Sequence, residues 1–469
     1  MIRGSNMFET KIYLNRRSVL KQSIEKGIVL FIGNKDSPMN YNGNPYPYRQ
    51  DSNFLYFWGL DIPGLNAVID IDENKEIIFG DDFDIDDIIW MGDQPSLKSE
   101  AERAGVIEIH PSIDTYSFLD ESVKAGRVIH YLPPYRTEHY AILNHCFKLN
   151  AEDAKRTASI ELIKSIISLR ETKSPEEIKE IEIATSVTHK MQRHAMRIAK
   201  PGIYERHIAG QIQGIAIAEN CYHAFPYIVT KHGEILHNHY VGNILKDGDL
   251  ILIDAGTESP HHYAGDITRT FPVNGKFTQK QKEIYEIVLA AQLGAIKLIK
   301  PGLEYKKIHL ETSKMIAEGL KSIGLMHGDM SEAVSMGAHA LFFPHGLGHM
   351  IGLDVHDMEG LGEDFVGYDE SIKRSDQFGL AYLRLARRLE PGFTITVEPG
   401  IYFIPTLIDQ WKTNKKYQEY INFSKLHEYM IFGGIRIEDD VLVTDQGHRV
   451  LGNPAPKLVQ DVEDLIMSE

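Results

Sequence analysis

Residues 249–271, DLILIDAGTESPHHYAGDITRTF, constrain the fold of this chain more than any other stretch. A short apolar run ends at Asp254 and predicts a buried strand with a carboxylate at its end. Asp266 opens a second β-rich run, and the glycines and proline between the runs favour a long hairpin with the two aspartates side by side. Two such carboxylates in a protected site need a positive charge between them. Arg269 is the only cation in the stretch, so a metal ion is the stronger candidate.

Length and composition favour a soluble protein with two domains. The 469 residues exceed the size at which one core stops growing, and 43% of them are hydrophobic and 25% charged. The net charge of -16 argues against nucleic acid or an anionic membrane as the main partner. Only two cysteines, no signal-peptide core and no apolar run of membrane-spanning length together predict a cytoplasmic location.

Residues 1–168 are predicted to form an α/β domain. Within it, residues 28–32 predict a buried strand, and residues 67–71 and 76–79 predict a hairpin. The acidic residues 81–87 do not complete a calcium-binding pattern, so we interpret them as a solvated loop.

Residues 169–469 are predicted to form a second domain. It begins with a helix in which Ser174 is the N-cap, Pro175 the first residue and Glu177 the partner that completes a capping box. The helix is expected to end at the first of two Lys-Pro-Gly sequences, each of which introduces another amphipathic helix.

This second domain contains an internal repeat. Residues 245–256, LKDGDLILIDAG, align without a gap on residues 389–400, LEPGFTITVEPG, and the alignment sets Asp254 against Glu398. We interpret the domain as a duplicated helix-plus-sheet unit, of α/β (α+β) class, whose strands end in acids. Two such halves facing each other would bring their acids into one cleft.

Several acids and imidazoles occur on apolar, glycine-punctuated β segments: Asp254, Asp266, His345, His349, His356, Glu398 and Glu438. Four carboxylates and one histidine balance two divalent cations, and oxygen-rich ligation favours a hard ion such as manganese. Two ions about 3.5–4 Å apart would hold a bridging hydroxide and polarise a carbonyl or phosphoryl oxygen. Each residue alone is more often a cap or a core histidine, but together they favour a metal site.

Five segments then identify a family resemblance: LKDGDLILIDAG, YAGDITRTFPVNGKFT, HGLGHMIGLDVHD, LEPGFTITVEPGIYF and GGIRIEDDVLVTDQG. They resemble the pita-bread metallopeptidases and, within that family, the aminopeptidase P and prolidase group, which cleaves before proline. PYRQDSNFLYFWG and IIWMG are similar to the N-terminal domain of the same group, so the resemblance covers nearly the whole chain. It implies a C-terminal pita-bread domain behind an N-terminal aminopeptidase P-like domain.

Carried over position by position, the resemblance implies two divalent metal ions, with Mn²⁺ expected and Co²⁺ or Zn²⁺ as alternatives. The implied ligands are Asp254, Asp266, His349, Glu398 and Glu438, of which Asp266 and Glu438 bridge both ions.

The resemblance also implies roles for residues around the metals. The residues implied to be catalytic are His237, His345, His356 and Glu398. The residues implied to contact the substrate are Tyr402, Arg436, His239 and Trp90. His239 lies close enough in sequence to compete with His237 for the catalytic role. Trp90 resembles a tryptophan that reaches a neighbouring subunit's active site in some relatives, and we expect a homodimer or homotetramer.

The implied function is a dinuclear-metal Xaa-Pro aminopeptidase, in which a metal-bridging hydroxide attacks the bond between an N-terminal residue and the following proline. The insertions near residues 360–388 and 405–432 resemble the prolidase branch, so an Xaa-Pro dipeptidase is the alternative. A non-catalytic pita-bread binding protein is a remote alternative. A dimetal phosphoesterase would need a cationic clamp, for which Arg436 is the only obvious candidate.

Overall fold

The computed structural model describes residues 7–468, which form two compact units. One unit comprises Met1–Arg170 and the short segment Gly360–Phe365, and the other comprises Glu171–Glu359 and Val366–Glu469. Among the described residues, every helix is too short or too polar to cross a lipid bilayer.

The first unit is a five-stranded mixed sheet with helices. Its elements are α1 (Thr10–Ser23), β1 (Ile28–Ile32), α2 (Ser52–Trp58), β2 (Asn66–Asp70), β3 (Lys75–Phe79), α3 (Ile85–Met91), α4 (Leu97–Arg103), β4 (Glu108–His110), α5 (Asp114–Lys124), β5 (Ile129–His130), α6 (Thr137–Phe147), α7 (Ala151–Arg156) and α8 (Ile160–Arg170).

The sheet of the first unit has the strand order β4-β3-β2-β1-β5. β1 to β3 form an antiparallel meander, while β4 and β5 join its two edges in parallel. Alternate residues of the meander, among them Leu30, Val68 and Phe79, pack into one apolar cluster with the helices. The predicted strand and hairpin are thereby confirmed, because apolar side chains on one face of each strand need a common core.

The loop prediction for residues 81–87 is confirmed for residues 81–84 and was wrong for residues 85–87, which form the first turn of α3. Asp84 is the N-cap of α3, and Asp87 completes a capping box with it. Aspartate is among the best N-caps because its carboxylate accepts from the free N–H groups of the first turn. The expectation of solvent exposure holds for the helix, none of whose residues is buried.

The second unit contains α9 (Pro175–Ile198), α10 (Glu205–Ala218), β6 (Tyr222–His223), β7 (Ile228–Thr230), β8 (Leu250–Ala255), β9 (Thr257–Glu258), β10 (Ile267–Pro272), α11 (Gln279–Leu298), α12 (Tyr305–Ser322), α13 (Met330–Met336), a 3-10 turn (Ala338–Leu341), β11 (Thr394–Val397), β12 (Gly400–Tyr402), α15 (Pro405–Thr413), α16 (Phe423–Leu426), a further 3-10 turn (His427–Tyr429), β13 (Gly434–Arg436), β14 (Asp439–Thr444), β15 (Gly447–Val450) and α17 (Val459–Met467). A 3-10 turn (Glu359–Leu361) and α14 (Glu363–Val366) lie mostly within the Gly360–Phe365 segment of the first unit.

The first helix of this unit begins as predicted. The Ser174 side chain accepts from the backbone N–H of Glu177, the Glu177 side chain accepts from the backbone N–H of Ser174, and Pro175 is the first residue of α9. Reciprocal capping satisfies two otherwise free donors, which is why the signal is reliable in sequence.

The internal repeat corresponds to two similar arrangements of helices and strands. α9 and α10 pack together beside the antiparallel sheet β10-β8-β7, and α11 and α12 pack together beside the antiparallel sheet β11-β14-β15. β8 and β11 occupy the aligned segments of the two halves. β8 and β10 form the predicted hairpin, with Asp254 opposite Thr268. The two halves meet where the backbone N–H of Glu438 donates to the carbonyl of Thr268 (3.1 Å).

Candidate metal centre and active site

Four carboxylates come from strand ends of the second unit. Asp254 lies near the end of β8, and Asp266 immediately precedes β10. Glu398 follows β11, and Glu438 lies between β13 and β14. Asp440 holds the backbone of Asp266 in position, because its Oδ2 accepts from the Asp266 backbone N–H at 3.0 Å. The hairpin and its counterpart in the second half therefore direct their acids to one place.

Three potential ligand atoms lie close together. Donor atoms of Asp266, His349 and Glu438 are within 4.8 Å of one another, and all three residues are buried. His349 Nε2 is 3.6 Å from an oxygen of Asp266 and 3.6 Å from an oxygen of Glu398. His349 Nδ1–H donates to the Met350 carbonyl (2.9 Å), so the lone pair on Nε2 faces the acids. Burial lowers the pKa of His349 well below its ordinary value and so keeps it neutral.

The acids of this cluster are under electrostatic strain. Burial, followed by mutual repulsion, raises the pKa of Asp266 and that of Glu438 well above their ordinary values. Burial likewise raises the pKa of Glu398 to about 7. The Oδ1 atoms of Asp254 and Asp266 are buried without a hydrogen-bond partner. A divalent cation would supply both the missing charge and the missing partner, so the side chains fit a metal site.

The segment that carries His349 is irregular and lies along β11. The carbonyls of Leu347 and His349 accept from the backbone N–H groups of Glu398 (2.8 Å) and Thr396 (2.9 Å). A side chain at Gly348 would place its Cβ 2.1 Å from the Thr396 carbonyl oxygen. Glycine is therefore required beside His349, because the two backbones approach too closely for any other residue.

The cation beside Asp254 is Arg436, which lies outside the hairpin. Arg436 Nη2 donates to Asp254 Oδ2 (2.5 Å), Nη1 to Tyr402 Oη (2.9 Å) and Nε to Thr268 Oγ1 (3.1 Å). Arg269 instead donates to Asp439. Neighbouring residues on a strand point to opposite faces, which turns Arg269 away from the acids.

His345 has both ring nitrogens engaged inside the chain. Its Nδ1–H donates to the Gly346 carbonyl (2.8 Å), so Nε2 accepts from the Tyr402 hydroxyl (2.8 Å). Burial lowers the pKa of His345 to about 3, which keeps the ring neutral. In this arrangement neither nitrogen is left for a substrate, and a catalytic role of His345 stays a prediction.

His356 lies against His349. Its ring meets that of His349 edge to face, with the centroids 4.3 Å apart. Its Nδ1 is 2.6 Å from Glu359 Oε2, and Arg384 Nε is 3.1 Å from the same oxygen. The hydrogen bond with His356 lowers the pKa of Glu359 to about 2, so this carboxylate is ionised at neutral pH.

The two histidines of the ILHNHY sequence differ in their surroundings. Partial burial lowers the pKa of His237, Arg436 lowers it further, and Asp254 acts in the opposite direction. Within residues 7–468, no hydrogen bond or ion pair joins either His237 or His239 to the acids. Trp90 belongs to the first unit, where 86% of its surface is exposed on α3.

Comparison with known proteins identifies the architecture. The family model described as metallopeptidase family M24 matches residues 179–445, and the model described as aminopeptidase P, N-terminal domain, matches residues 13–130.

This chain belongs to metallopeptidase family M24.

Relatives within the M24 family cover almost the entire chain. Xaa-Pro aminopeptidase of Escherichia coli K12 is 31% identical over 469 residues, with 97% of each chain covered. Xaa-Pro dipeptidase of Rattus norvegicus is 33% identical over 428 residues, which cover 89% of this chain and 84% of the rat protein. Aminopeptidase P from E. coli with the inhibitor Pro-Leu superimposes with a TM-score of 0.80 at 30% identity, covering 98% of this chain and 99% of the other. The predicted fold class and family are confirmed.

Sequence reasoning missed several polar residues of the M24 site. Thr268 donates to Glu438 Oε2 (2.6 Å) and accepts from Arg436, so it links the two halves. Its position two residues after Asp266 on a strand is a signal that could have identified it, because such residues share a face. Glu359 and Arg384 gave no such signal, because only the folded chain brings them to His356.

Proposed function

We propose that this protein is a dinuclear-metal Xaa-Pro aminopeptidase, which hydrolyses the bond between an N-terminal residue and a following proline. The observation that carries the proposal is a buried group of acids and one histidine in which carboxylate oxygens lack partners. The E. coli relative named Xaa-Pro aminopeptidase and the aminopeptidase P structure with Pro-Leu support the substrate class.

Five side chains would hold two divalent cations: Asp254, Asp266, His349, Glu398 and Glu438. Four carboxylates balance the charge of two such ions, and Asp266 and Glu438 would be shared between them. The predominance of oxygen ligands favours Mn²⁺, while Co²⁺ and Zn²⁺ accept the same donors. When bound, the cations would polarise the scissile carbonyl and lower the pKa of a water molecule.

We assign proton transfer to Glu398. A carboxylate among the candidate ligands can accept a proton from a water molecule and pass it on. Glu398 Oε2 lies 3.9 Å from His345 Nδ1, close to the hydrogen-bond chain that runs from Arg436 through Tyr402 to His345. Arg436, the first member of these hydrogen bonds, also donates to Asp254 and so orients the Asp254 carboxylate.

His237 and His356 are the imidazoles that we assign to the substrate. We favour His237 over His239 because the charges of Arg436 and Asp254 act on His237. A substrate with proline in the second position offers no N–H at the scissile bond. Selectivity is therefore expected from the fit of the pyrrolidine ring against histidine and tyrosine side chains, with Tyr402 and Arg436 forming part of that wall.

The decisive experiment compares one preparation before and after metal removal. Chelated protein, checked by metal analysis, is expected to lose cleavage of an Xaa-Pro-Xaa tripeptide and to regain it with Mn²⁺, and then with Co²⁺ or Zn²⁺ for comparison. Full activity in protein shown to hold no metal would contradict the proposal. Cleavage of the dipeptide Ala-Pro alone would assign the alternative, an Xaa-Pro dipeptidase, which the similarity to the rat enzyme favours.

We further infer a homodimer or homotetramer. Helix α3 exposes Ile85, Ile89 and Trp90, by 68%, 69% and 86% respectively. Neighbouring large apolar side chains on a surface are typical of a protein interface. The mass by light scattering tests this, and a monomer at assay concentration would contradict it. A cytoplasmic location is a separate part of the proposal, which cell fractionation tests.

A further inference from the structure

Glu359 lies beside the candidate active site, yet the proposed reaction gives it no role. Its Oε2 is 2.6 Å from His356 Nδ1 and 3.1 Å from Arg384 Nε. The side chains of His356, Glu359 and Arg384 are 32%, 38% and 33% exposed, so the trio lies at the solvent-accessible edge of the second unit's cluster. One carboxylate oxygen therefore joins a site imidazole to a guanidinium from a different stretch of the chain.

We propose that Glu359 is a positioning residue, which fixes the tautomer and the orientation of His356, and that Arg384 holds Glu359 in place. This inference rests on the proposed function, in which His356 acts on the substrate.

The tautomer follows from the hydrogen-bonding capacity of the two groups. An ionised carboxylate only accepts, so Nδ1 of His356 carries the proton in the bond to Glu359. Nε2 is then the nitrogen that remains for a substrate atom. Without the carboxylate both neutral tautomers would be populated, and a ring in the wrong tautomer would offer the substrate the wrong group.

The orientation follows from contacts on two sides of the ring. His356 packs edge to face on His349 with a centroid separation of 4.3 Å, and Glu359 holds it through Nδ1. A ring flip would break the bond to Glu359. Carboxylate–imidazole pairs of this kind keep a histidine in its productive orientation in other enzymes.

Arg384 completes the arrangement by restraining a flexible side chain. Glu359 begins a 3-10 turn, and its side chain would populate several rotamers without a partner for its carboxylate. Arg384 Nε reaches it from a segment about 25 residues further along the chain. Because partly exposed ion pairs contribute little to stability, we expect the contact to matter for geometry and not for the melting temperature.

The kinetic test uses Glu359→Gln, Glu359→Asp and a matched control, Glu370→Gln, at an exposed acid in the same stretch. Glu359→Gln should lower kcat about 10- to 100-fold, as loss of such an orienting partner does, with KM changed little. Glu359→Asp should recover part of the loss, and the control should match the wild type. Full kcat in Glu359→Gln would overturn the proposal.

A double variant separates positioning from a general structural role. If Glu359 acts only through His356, Glu359→Gln should cause no further loss of kcat in a His356→Ala background. An equal loss in both backgrounds would overturn the proposal, because it would mean that Glu359 acts by another route.

A measurement that needs no turnover distinguishes failure of this inference from failure of the proposed function. In protein with ¹⁵N-labelled histidine, the His356 signals, assigned with His356→Ala, should report a protonated Nδ1 and an unprotonated Nε2. Glu359→Gln should give a mixture of tautomers. An unchanged tautomer in that variant would overturn the inference even where the peptidase assay succeeds, and the expected change would support it even where the assay fails.

Discussion

Two arginine–aspartate pairs of the second unit have different surroundings, although both arginines are buried. Arg269 donates to Asp439 Oδ1 (2.7 Å), and the other oxygen of Asp439 accepts from Gln292 and Lys457. Neither Arg269 nor Asp439 is exposed at all. Arg436 also donates to an aspartate, Asp254, but the second oxygen of Asp254 is buried and has no hydrogen-bond partner.

The difference teaches which pair supports the fold and which is prepared for a ligand. Burial alone would raise the pKa of Asp439, but Arg269 and Lys457 together lower it below the ordinary value. In the other cluster burial and repulsion raise the pKa of Asp266 and that of Glu438. A fully satisfied polar network makes the surrounding structure rigid, whereas a partly satisfied one stays costly until a cation completes it.

The largest expected effect comes from breaking the pair of Arg269 and Asp439, whose carboxylate oxygens both have partners. Asp439→Asn leaves the buried Arg269 and the partly buried Lys457 without a carboxylate, so the free energy of unfolding should fall by about 3–5 kcal/mol. Urea denaturation measures it, with Asp445→Asn as a control at an exposed position. Each folded molecule should still bind the same number of metal ions. A free energy of unfolding equal to that of the wild type would show that the hydrogen bonds around Asp439 do not stabilise the fold.

A smaller effect is expected from changing the cluster that contains Asp266, His349 and Glu438. Asp266→Asn should lower kcat/KM on an Xaa-Pro peptide at least about a hundredfold, which corresponds to about 2.7 kcal/mol, and should lower the metal content. The metal-free variant should be no less stable than the metal-free wild type, because the substitution removes one of several repelling charges. Retention of both metal ions and full turnover would contradict the bridging role.

The smallest effect is a pH dependence that sharpens the comparison. Because burial raises the pKa of Glu398 to about 7, the folded protein binds this proton more tightly than the unfolded chain does. Its contribution to stability is present below the unfolded pKa of about 4.5 and is lost as the pH rises through about 7.

Mn²⁺ should reverse that loss, since it binds the deprotonated acids. The difference in unfolding free energy between Mn²⁺-loaded and metal-free protein should therefore increase by about 1–2 kcal/mol between pH 5.5 and 8, measured by thermal denaturation. The Asp439 pair, whose pKa is lowered, should lose stability only in strong acid. A difference in unfolding free energy between Mn²⁺-loaded and metal-free protein that does not change with pH would contradict the proposed ligand set.

Much of the architecture could be predicted because its causes are local. The capping box at Ser174 and Glu177 and the hairpin that carries Asp254 and Asp266 depend on neighbours in sequence, and both are confirmed. The loop prediction failed at residues 85–87 because it considered the charge of the aspartates and not the ability of Asp84 to cap a helix.

Pairings between the halves could not be predicted in the same way. The choice of Arg436 over Arg269 as the partner of Asp254 depends on strand faces and on contacts between residues more than 180 positions apart. The engagement of both nitrogens of His345 by Gly346 and Tyr402 is equally invisible in the sequence. The roles assigned to the individual site residues stay predictions.

The sequence by itself determined that acids would stand at the ends of buried strands in a duplicated unit, because hydrophobic periodicity and turn residues act over short distances. Only the tertiary structure decided which carboxylates are neutralised by arginine and which are left open toward one another. Electrostatic energy depends on separation and burial in space, and a chain acquires those only when its distant segments pack.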